Sequence, residues 1–188
     1  MIIIFGIMEN RMDTLLYFDN DDQRKDYCSN QVYLSFLDYA FEKCDYFMLV
    51  FVNYYGKGYS KQQKYFKTKL ERFKIKSRTN PSWPGMPFTY SLNSTYKIVF
   101  YKTHPEAKKI LSEVRCLSEW CRPNNPEDLS FFKGNECWFY SVGHEKIAAI
   151  VNADQDDVVF LRSNNLSNKY PIKLTQSDLI NTFKEKIE

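Results

Sequence analysis

Residues 126–146 read PEDLSFFKGNECWFYSVGHEK, and this stretch decides the fold. Two runs within it, Leu129–Phe132 and Glu136–Val142, are rich in aromatic and β-branched residues, which favour strands. Lys133-Gly-Asn135 lies between them and has the chemistry of a tight hairpin turn. The stretch therefore predicts an antiparallel hairpin that ends in a His-Glu-Lys loop at residues 144–146.

A second run predicts the centre of the sheet. Tyr46–Val52 is continuously apolar and is bounded by Asp45 and by the segment from Asn53 to Gly58. Such a run is typical of a strand that is buried on both faces. Further strands are predicted in three places: Lys74–Ser77, Thr95–Tyr101 and Ile147–Val151.

Helical periodicity recurs along the chain, with polar residues suited to begin each helix. We predict helices over residues 30–43, from Ser60, from Thr103 and from about Thr175 to Lys186, and a short acid-capped helix from Asp154. Ser60 to Gln63 and Thr103 to Glu106 have the spacing of capping boxes. Because helices and strands alternate, we expect an α+β fold with a mixed or mainly antiparallel sheet flanked by four to five helices.

Length and composition indicate a single domain over residues 1–188, of which 44% are hydrophobic and 17% aromatic. Five irregularly spaced cysteines with no evident secretory leader suggest reduced thiols and a cytoplasmic protein. The apolar opening, Met1–Met8, is shorter than the ~20 residues of a membrane span. We interpret it as a buried strand or as an overlong start ahead of Met8, and expect no transmembrane helix and no membrane partner.

Charge is segregated along the chain. Residues 1–45 contain nine acidic and four basic residues, whereas residues 57–78 contain nine basic residues and one acid, Glu71. In the basic block, cations alternate with Tyr59 and Tyr65, a pattern that nucleic-acid-binding proteins use. A helix with a solvated lysine face is the structural alternative. The nucleic-acid hypothesis would use five basic residues: Lys61, Lys64, Lys67, Lys69 and Arg72.

His144-Glu145 invites a catalytic interpretation. A zinc protease motif would need a second histidine four residues after His144, where Ala148 stands. Cys116, Cys121 and Cys137 lack the close spacing of zinc ligands, so we expect no metal and no cofactor. A small hydrolase or nuclease could still use His144 with Glu145 or Cys137. The structural alternatives are a loop histidine bonded to nearby backbone and a buried thiol.

Trp83 lies in a loop that three prolines and one glycine make irregular, Thr79–Pro87. We expect Trp83 to be exposed there, where it could dock against a protein, and we assign Trp120 and Trp138 to the core.

Four segments carry a resemblance to a known group of proteins: Asn80–Gly85, Leu117–Trp120, Arg122–Leu129 and Trp138–Lys146. Together they resemble small, uncharacterised cytoplasmic proteins of Gram-positive bacteria. Some of these resemble immunity proteins of polymorphic or contact-dependent toxin systems. The resemblance covers roughly Phe73 to Leu166 and implies a protein that binds and neutralises a cognate toxin.

We therefore expect a non-enzymatic, protein-binding function. The residues proposed to contact the partner are Trp83, Tyr59, Tyr65, His144 and Glu145.

Overall fold

The computed structural model describes residues 30–86, 94–164, 166 and 186–187, and the backbone of residues 12–17. Two predicted elements lie outside these residues. They are the apolar opening, Met1–Met8, and, apart from Lys186, the helix predicted from Thr175.

Seven strands and four α-helices form in the described part of the chain. The strands are β1 (Met12–Tyr17), β2 (Tyr46–Tyr54), β3 (Lys74–Thr79), β4 (Ser94–Lys102), β5 (Glu127–Lys133), β6 (Glu136–Val142) and β7 (Ile147–Ala153). The helices are α1 (Asn30–Lys43), α2 (Lys61–Leu70), α3 (Pro105–Leu111) and α4 (Gln155–Ser163). Short 3-10 helices cover Glu71–Phe73, Leu117–Glu119 and Gly143–Glu145. Among the described helices, none has the length and apolar character that crossing a bilayer requires.

The strands form one sheet in the order β1-β7-β6-β5-β2-β4-β3. Every neighbouring pair in it is antiparallel. The predicted α+β class is thus confirmed, and the sheet is antiparallel throughout its described strands.

β2 lies at the centre of the fold and buries both of its faces, as its apolar run predicts. Phe47, Leu49 and Phe51 point to the face on which all four helices pack. Met48 and Val50 point to the opposite face, where they are buried in a second core with Trp83. The strand therefore contributes to two hydrophobic cores.

The predicted hairpin is confirmed, with Gly134 taking a left-handed φ of +53° in the turn between β5 and β6. A β-bulge that alternation does not predict interrupts the pairing. Phe131 pairs with Phe139 and Phe132 with Cys137, so Trp138 is the extra residue. Trp138 and Phe139 consequently both join the helical-face core, although they are adjacent in a strand.

The helix starts follow local hydrogen-bonding chemistry. Ser60 caps α2 as predicted, accepting from the Gln63 backbone N–H at 3.0 Å, but the Gln63 side chain accepts from Val52 N–H at 2.9 Å and so binds β2. The prediction that Thr103 caps α3 is wrong. His104 is the cap, because its Nδ1 accepts from Glu106 N–H at 3.2 Å.

The acid-capped helix predicted from Asp154 is confirmed as α4. Asp154 and Asp157 form a reciprocal capping box at its start. Each carboxylate accepts from the backbone N–H of the other residue, at 2.9 and 3.0 Å.

Candidate functional site

A cleft forms where the end of β2 meets the segment before β5 and the turn after β6. It contains a cavity of about 560 Å³. The residues that line it are Val52, Tyr54, Lys57, Gly58, Tyr59, Ser60, Gln63, Arg122, Pro123 and His144. The fold thus brings together two of the predicted contact residues, Tyr59 and His144. A second cavity of about 560 Å³ shares Ser60 and Arg122 with the first.

Two adjacent tyrosines project where β2 ends, Tyr54 as its last residue and Tyr55 as the first residue after it. Tyr54 is 41% exposed and Tyr55 is 60% exposed, with their ring centroids 5.3 Å apart. Tyr55 has a left-handed φ of +50°, which is unfavourable for a bulky L-residue. Asn53 holds the loop closed by accepting from the Gly58 backbone N–H at 2.7 Å. The tyrosines are therefore presented outward on a turn that is fixed at its base.

Arg122 holds Tyr54 in place. Its guanidinium lies over the Tyr54 ring, 4.9 Å from the centroid, and its Nη1 donates to the Tyr54 hydroxyl. Its Nε forms an ion pair with the buried carboxylate of Glu127. An arginine restrained on two sides loses little further conformational entropy when it binds a ligand.

A buried carboxylate, Asp128, bonds to the turn that bears His144. It lies in a bulge of β5 with a left-handed φ of +55°. Its Oδ2 accepts from Trp83 Nε1 at 2.8 Å and its Oδ1 from Gly143 N–H at 2.9 Å. Burial raises the pKa of Asp128 to about 6, although these two hydrogen bonds and the nearby charges of His144 and Arg122 oppose the shift.

Gly143 begins the turn that bears His144, and the turn admits no side chain at this position. A Cβ on Gly143 would lie 2.1 Å from the backbone oxygen of Trp120. The Asp128 N–H also donates to that oxygen, at 3.1 Å. Asp128, Trp120 and Gly143 therefore fix the turn closely against the segment that leads to Arg122.

The structure places the three catalytic candidates in two different locations. His144 is exposed in the cleft, with its Nε2 3.8 Å from Glu145 Oε1. Cys137 is buried near the hairpin end of β6, where its thiol donates to Phe139 O at 3.3 Å. Val142 lies five positions after Cys137 along the extended strand, a span of about 16 Å. His144 therefore lines the cleft with its sequence neighbour Glu145 beside it, and Cys137 lies away from both.

The expectation that Trp83 is exposed is wrong. Its side chain is fully buried in the second core, with its ring 5.2 Å from that of Tyr96 and its indole bound to Asp128. Backbone hydrogen bonds between Trp83 and Met86 close the loop and turn the indole inward. Gly85 lets the loop approach the sheet, since a Cβ there would lie 2.6 Å from Tyr140 Cδ2.

Tyr59 and Tyr65, the other two predicted aromatic contacts, are only partly exposed. Tyr59 packs edge-on against Phe51, and Lys67 lies 4.8 Å above its ring. The Tyr65 hydroxyl donates to the Glu113 carboxylate at 2.8 Å. Both tyrosines thus have intramolecular partners on at least one side.

The basic block divides into engaged and free cations. Arg72 pairs with Glu106 at 2.6 Å, and Lys69 lies 5.6 Å from the Tyr65 ring centroid. Lys61 and Lys64 are exposed on α2 and, among the residues that the structure describes, have no acidic partner. Only part of the predicted nucleic-acid surface is therefore unpaired.

The sequence analysis does not predict a role for Tyr54, Tyr55 and Arg122 at the cleft surface, or for Asp128, which bonds to the turn that bears His144. The tyrosine pair has a sequence signal, because two aromatic residues precede Gly56 at the end of an apolar run. Arg122 and Asp128 have none, since their roles depend on contacts between distant segments.

Within the described ranges, no three histidine, cysteine or acidic side chains are grouped so that they could hold a metal ion. Among the cysteines that the structure describes, Cys44, Cys116, Cys121 and Cys137 are not joined in disulfides. No protein-family model, curated protein or solved structure matches the chain. The function is therefore argued from the cleft itself.

Proposed function

We propose that this protein binds another protein through the cleft surface, defined by Tyr54, Tyr55, Lys57, Arg122 and His144. The observation that carries the proposal is the exposed tyrosine pair, with Tyr55 held at a φ of +50°. A left-handed backbone costs an L-residue about 1 kcal/mol. Tyr55 and Gly56 are the central residues of a tight turn in which both have positive φ, and the Lys57 N–H closes it by donating to Tyr54 O at 2.9 Å. The turn therefore fixes the Tyr55 backbone and leaves its ring exposed to a partner.

The residue types support a protein partner. Tyrosine and arginine are enriched among the residues that dominate binding energy, because they offer large contact areas and oriented donors. Here Arg122 stacks on Tyr54 and is anchored by Glu127. The contact groups are therefore ordered before binding, which lowers the entropic cost of association.

Charge indicates what kind of partner surface fits. Lys57 and Arg122 are cationic, and His144 is exposed beside them. An acidic partner would be complementary to this surface, and complementary charge accelerates encounter. The resemblance noted above makes a cognate toxin the proposed partner, which this protein would inactivate by covering a functional surface.

The test is calorimetric titration with the purified product of a neighbouring toxin-like gene. Tyr55→Asn should weaken binding about 30-fold, which corresponds to the loss of one dominant contact of about 2 kcal/mol. Asparagine tolerates a left-handed backbone, so stability should not fall. Val159→Asn is the matched control, because Val159 is 53% exposed on α4, away from the cleft.

Unchanged affinity in Tyr55→Asn would contradict the proposal. So would a gene neighbourhood without any toxin-like product, since the proposed partner would then be missing.

Nucleic-acid binding is the second candidate, favoured by the exposed and unpaired Lys61 and Lys64, which lie one turn apart on α2. Fluorescence anisotropy with a labelled single-stranded oligonucleotide tests it. Binding should weaken steeply as salt rises, and a Lys61→Gln, Lys64→Gln double variant should reduce that dependence. Affinity that does not change with salt would exclude this function.

A further inference from the structure

The cavity beside Tyr54 combines apolar walls with cationic groups. Val52, Tyr59 and Pro123 contribute apolar surface, while Lys57, Arg122 and His144 contribute nitrogen donors. Among the described residues that line it, none is an aspartate or a glutamate. Its volume of about 560 Å³ is in the range of small-ligand pockets and can accept one or two side chains of a partner.

Arg122 is positioned to recognise a carboxylate. Its Nε is occupied by Glu127 and its Nη1 by the Tyr54 hydroxyl. In the part of the chain that the structure describes, Nη2 makes no hydrogen bond, so its two N–H groups remain for a ligand. Glu127 balances the charge of Arg122. The net attraction for an anion therefore comes from Lys57, which forms no ion pair with any residue that the structure describes.

We infer that this cavity is the anchor site for an acidic side chain of the bound polypeptide, with its carboxylate held between Arg122 and Lys57. The inference rests on the proposed function, because it names the chemistry of the partner at the same surface. Planar guanidinium groups match carboxylates in geometry, and charge-assisted hydrogen bonds are stronger than neutral ones.

The apolar walls favour a side chain on a polypeptide over a free inorganic anion. Val52, Tyr59 and Pro123 can cover the methylene groups of a glutamate and its neighbours, whereas a phosphate ion has no apolar surface to bury. A glutamate side chain and a phosphate ion both present an oxyanion to the cavity. The experiment below distinguishes these two ligands.

Heteronuclear NMR titration of the full chain with a capped hexaglutamate peptide tests the inference. A hexaglutamine peptide of equal length controls for charge, and inorganic phosphate controls for a free anion. Hexaglutamate should shift the amides of Lys57, Gly58 and Arg122 at millimolar concentration. Lys57→Gln should weaken this binding about fivefold, the effect of losing roughly 1 kcal/mol.

Lys109→Gln is the matched control, since Lys109 is exposed on α3 and does not line the cavity. It should leave the peptide affinity unchanged. The protein-binding proposal is tested at Tyr55, which lies outside the cavity, and peptide binding is tested at Lys57, which lines it. The peptide therefore reports on the cavity separately from the protein-binding proposal, and either can fail alone.

Two results would overturn the inference. The first is that hexaglutamate does not change the chemical shifts of the cavity amides, or that Lys57→Gln and Lys109→Gln weaken the binding equally. The second is phosphate binding at the same amides more tightly than hexaglutamate, which would make the cavity a free-anion site.

Discussion

The two ends of the sheet each bury an aspartate, and they balance its charge differently. Asp157, at the α4 end, and Asp128, at the cleft end, are both fully buried. Each accepts a hydrogen bond from an indole, Trp138 at 3.2 Å and Trp83 at 2.8 Å. Asp157 also pairs with the Lys43 ammonium at 2.5 Å, whereas Asp128 accepts, within the described ranges, from two neutral donors, Trp83 Nε1 and Gly143 N–H.

At the α4 end, the paired charges join three elements. Lys43 ends α1, Asp154 and Asp157 begin α4, and Trp138 belongs to β6. Burial lowers the pKa of Lys43, but hydrogen bonds with Asp154, Asp157 and Tyr39 outweigh it and raise the pKa well above its usual range. This region is a structural clasp in which the charges compensate each other.

At the cleft end, no cation among the described residues bonds directly to Asp128, and burial raises the pKa of this carboxyl to about 6. Its two acceptor oxygens nevertheless hold the Trp83 loop and the turn that bears His144. The difference shows that an ammonium group compensates the buried aspartate of the clasp, whereas two neutral donors hold the buried aspartate at the cleft end, beside the separate Arg122–Glu127 ion pair.

Breaking the ion pair of the clasp should have the largest effect. Lys43→Met leaves the Asp157 carboxylate buried without its cation and should lower the free energy of unfolding by about 3–4 kcal/mol. Urea denaturation measures this. Lys109→Met, an exposed lysine on α3, is the control and should change stability by less than about 0.5 kcal/mol. Equal effects of the two substitutions would mean that the ion pair does not stabilise the clasp.

The cleft carboxylate should make stability depend on pH. The pKa of Asp128 is about 6 in the folded chain, against an ordinary value of 3.8. Because the folded-state value is the higher one, its stabilising contribution is complete below about pH 4 and is lost as pH rises through about 6. The loss amounts to at most about 3 kcal/mol.

Urea denaturation of the wild type and of Asp128→Asn from pH 4 to 7 isolates this contribution, since asparagine does not titrate. The stability of the wild type relative to the variant should fall across that interval. A constant difference, or one that grows with pH, would show that Asp128 is not the titrating group.

The two indoles provide a smaller, matched comparison. Trp138→Phe leaves Asp157 with three donors, from Tyr39, Lys43 and Asp154, whereas Trp83→Phe leaves Asp128 with Gly143 alone. We expect losses of about 1 and about 2 kcal/mol respectively. Thermal and urea denaturation at pH 7 measure both, and a larger loss for Trp138→Phe would reverse the comparison.

Much of the fold can be predicted from local sequence patterns. Three features depend only on residues that are close in sequence: the apolar run of β2, the turn at Gly134 and the capping residues of α4. The bulge at Trp138 cannot be predicted in that way, because it is defined only by pairing with β5. Alternation would place Trp138 and Phe139 on opposite faces.

The cleft is less predictable from the sequence, because it too depends on contacts between distant segments. The sequence predicts His144 and Tyr59 as contact residues, but it also predicts that Trp83 is exposed to solvent, because its loop is rich in proline. Its burial depends on Asp128, which is 45 residues away in sequence. Arg122 likewise acquires its role from Tyr54, 68 residues away. Contacts between such distant segments leave no periodic signal.

The most direct test of the account is hydrogen–deuterium exchange of the protein alone and in complex with the toxin-like partner. We predict that binding slows exchange in residues 54–58 and 122–125, at the cleft surface, and leaves Gln155–Ser163 of α4 unchanged. Slower exchange in α4 with no change at the cleft would contradict the central claim that the partner binds at the cleft end of the sheet.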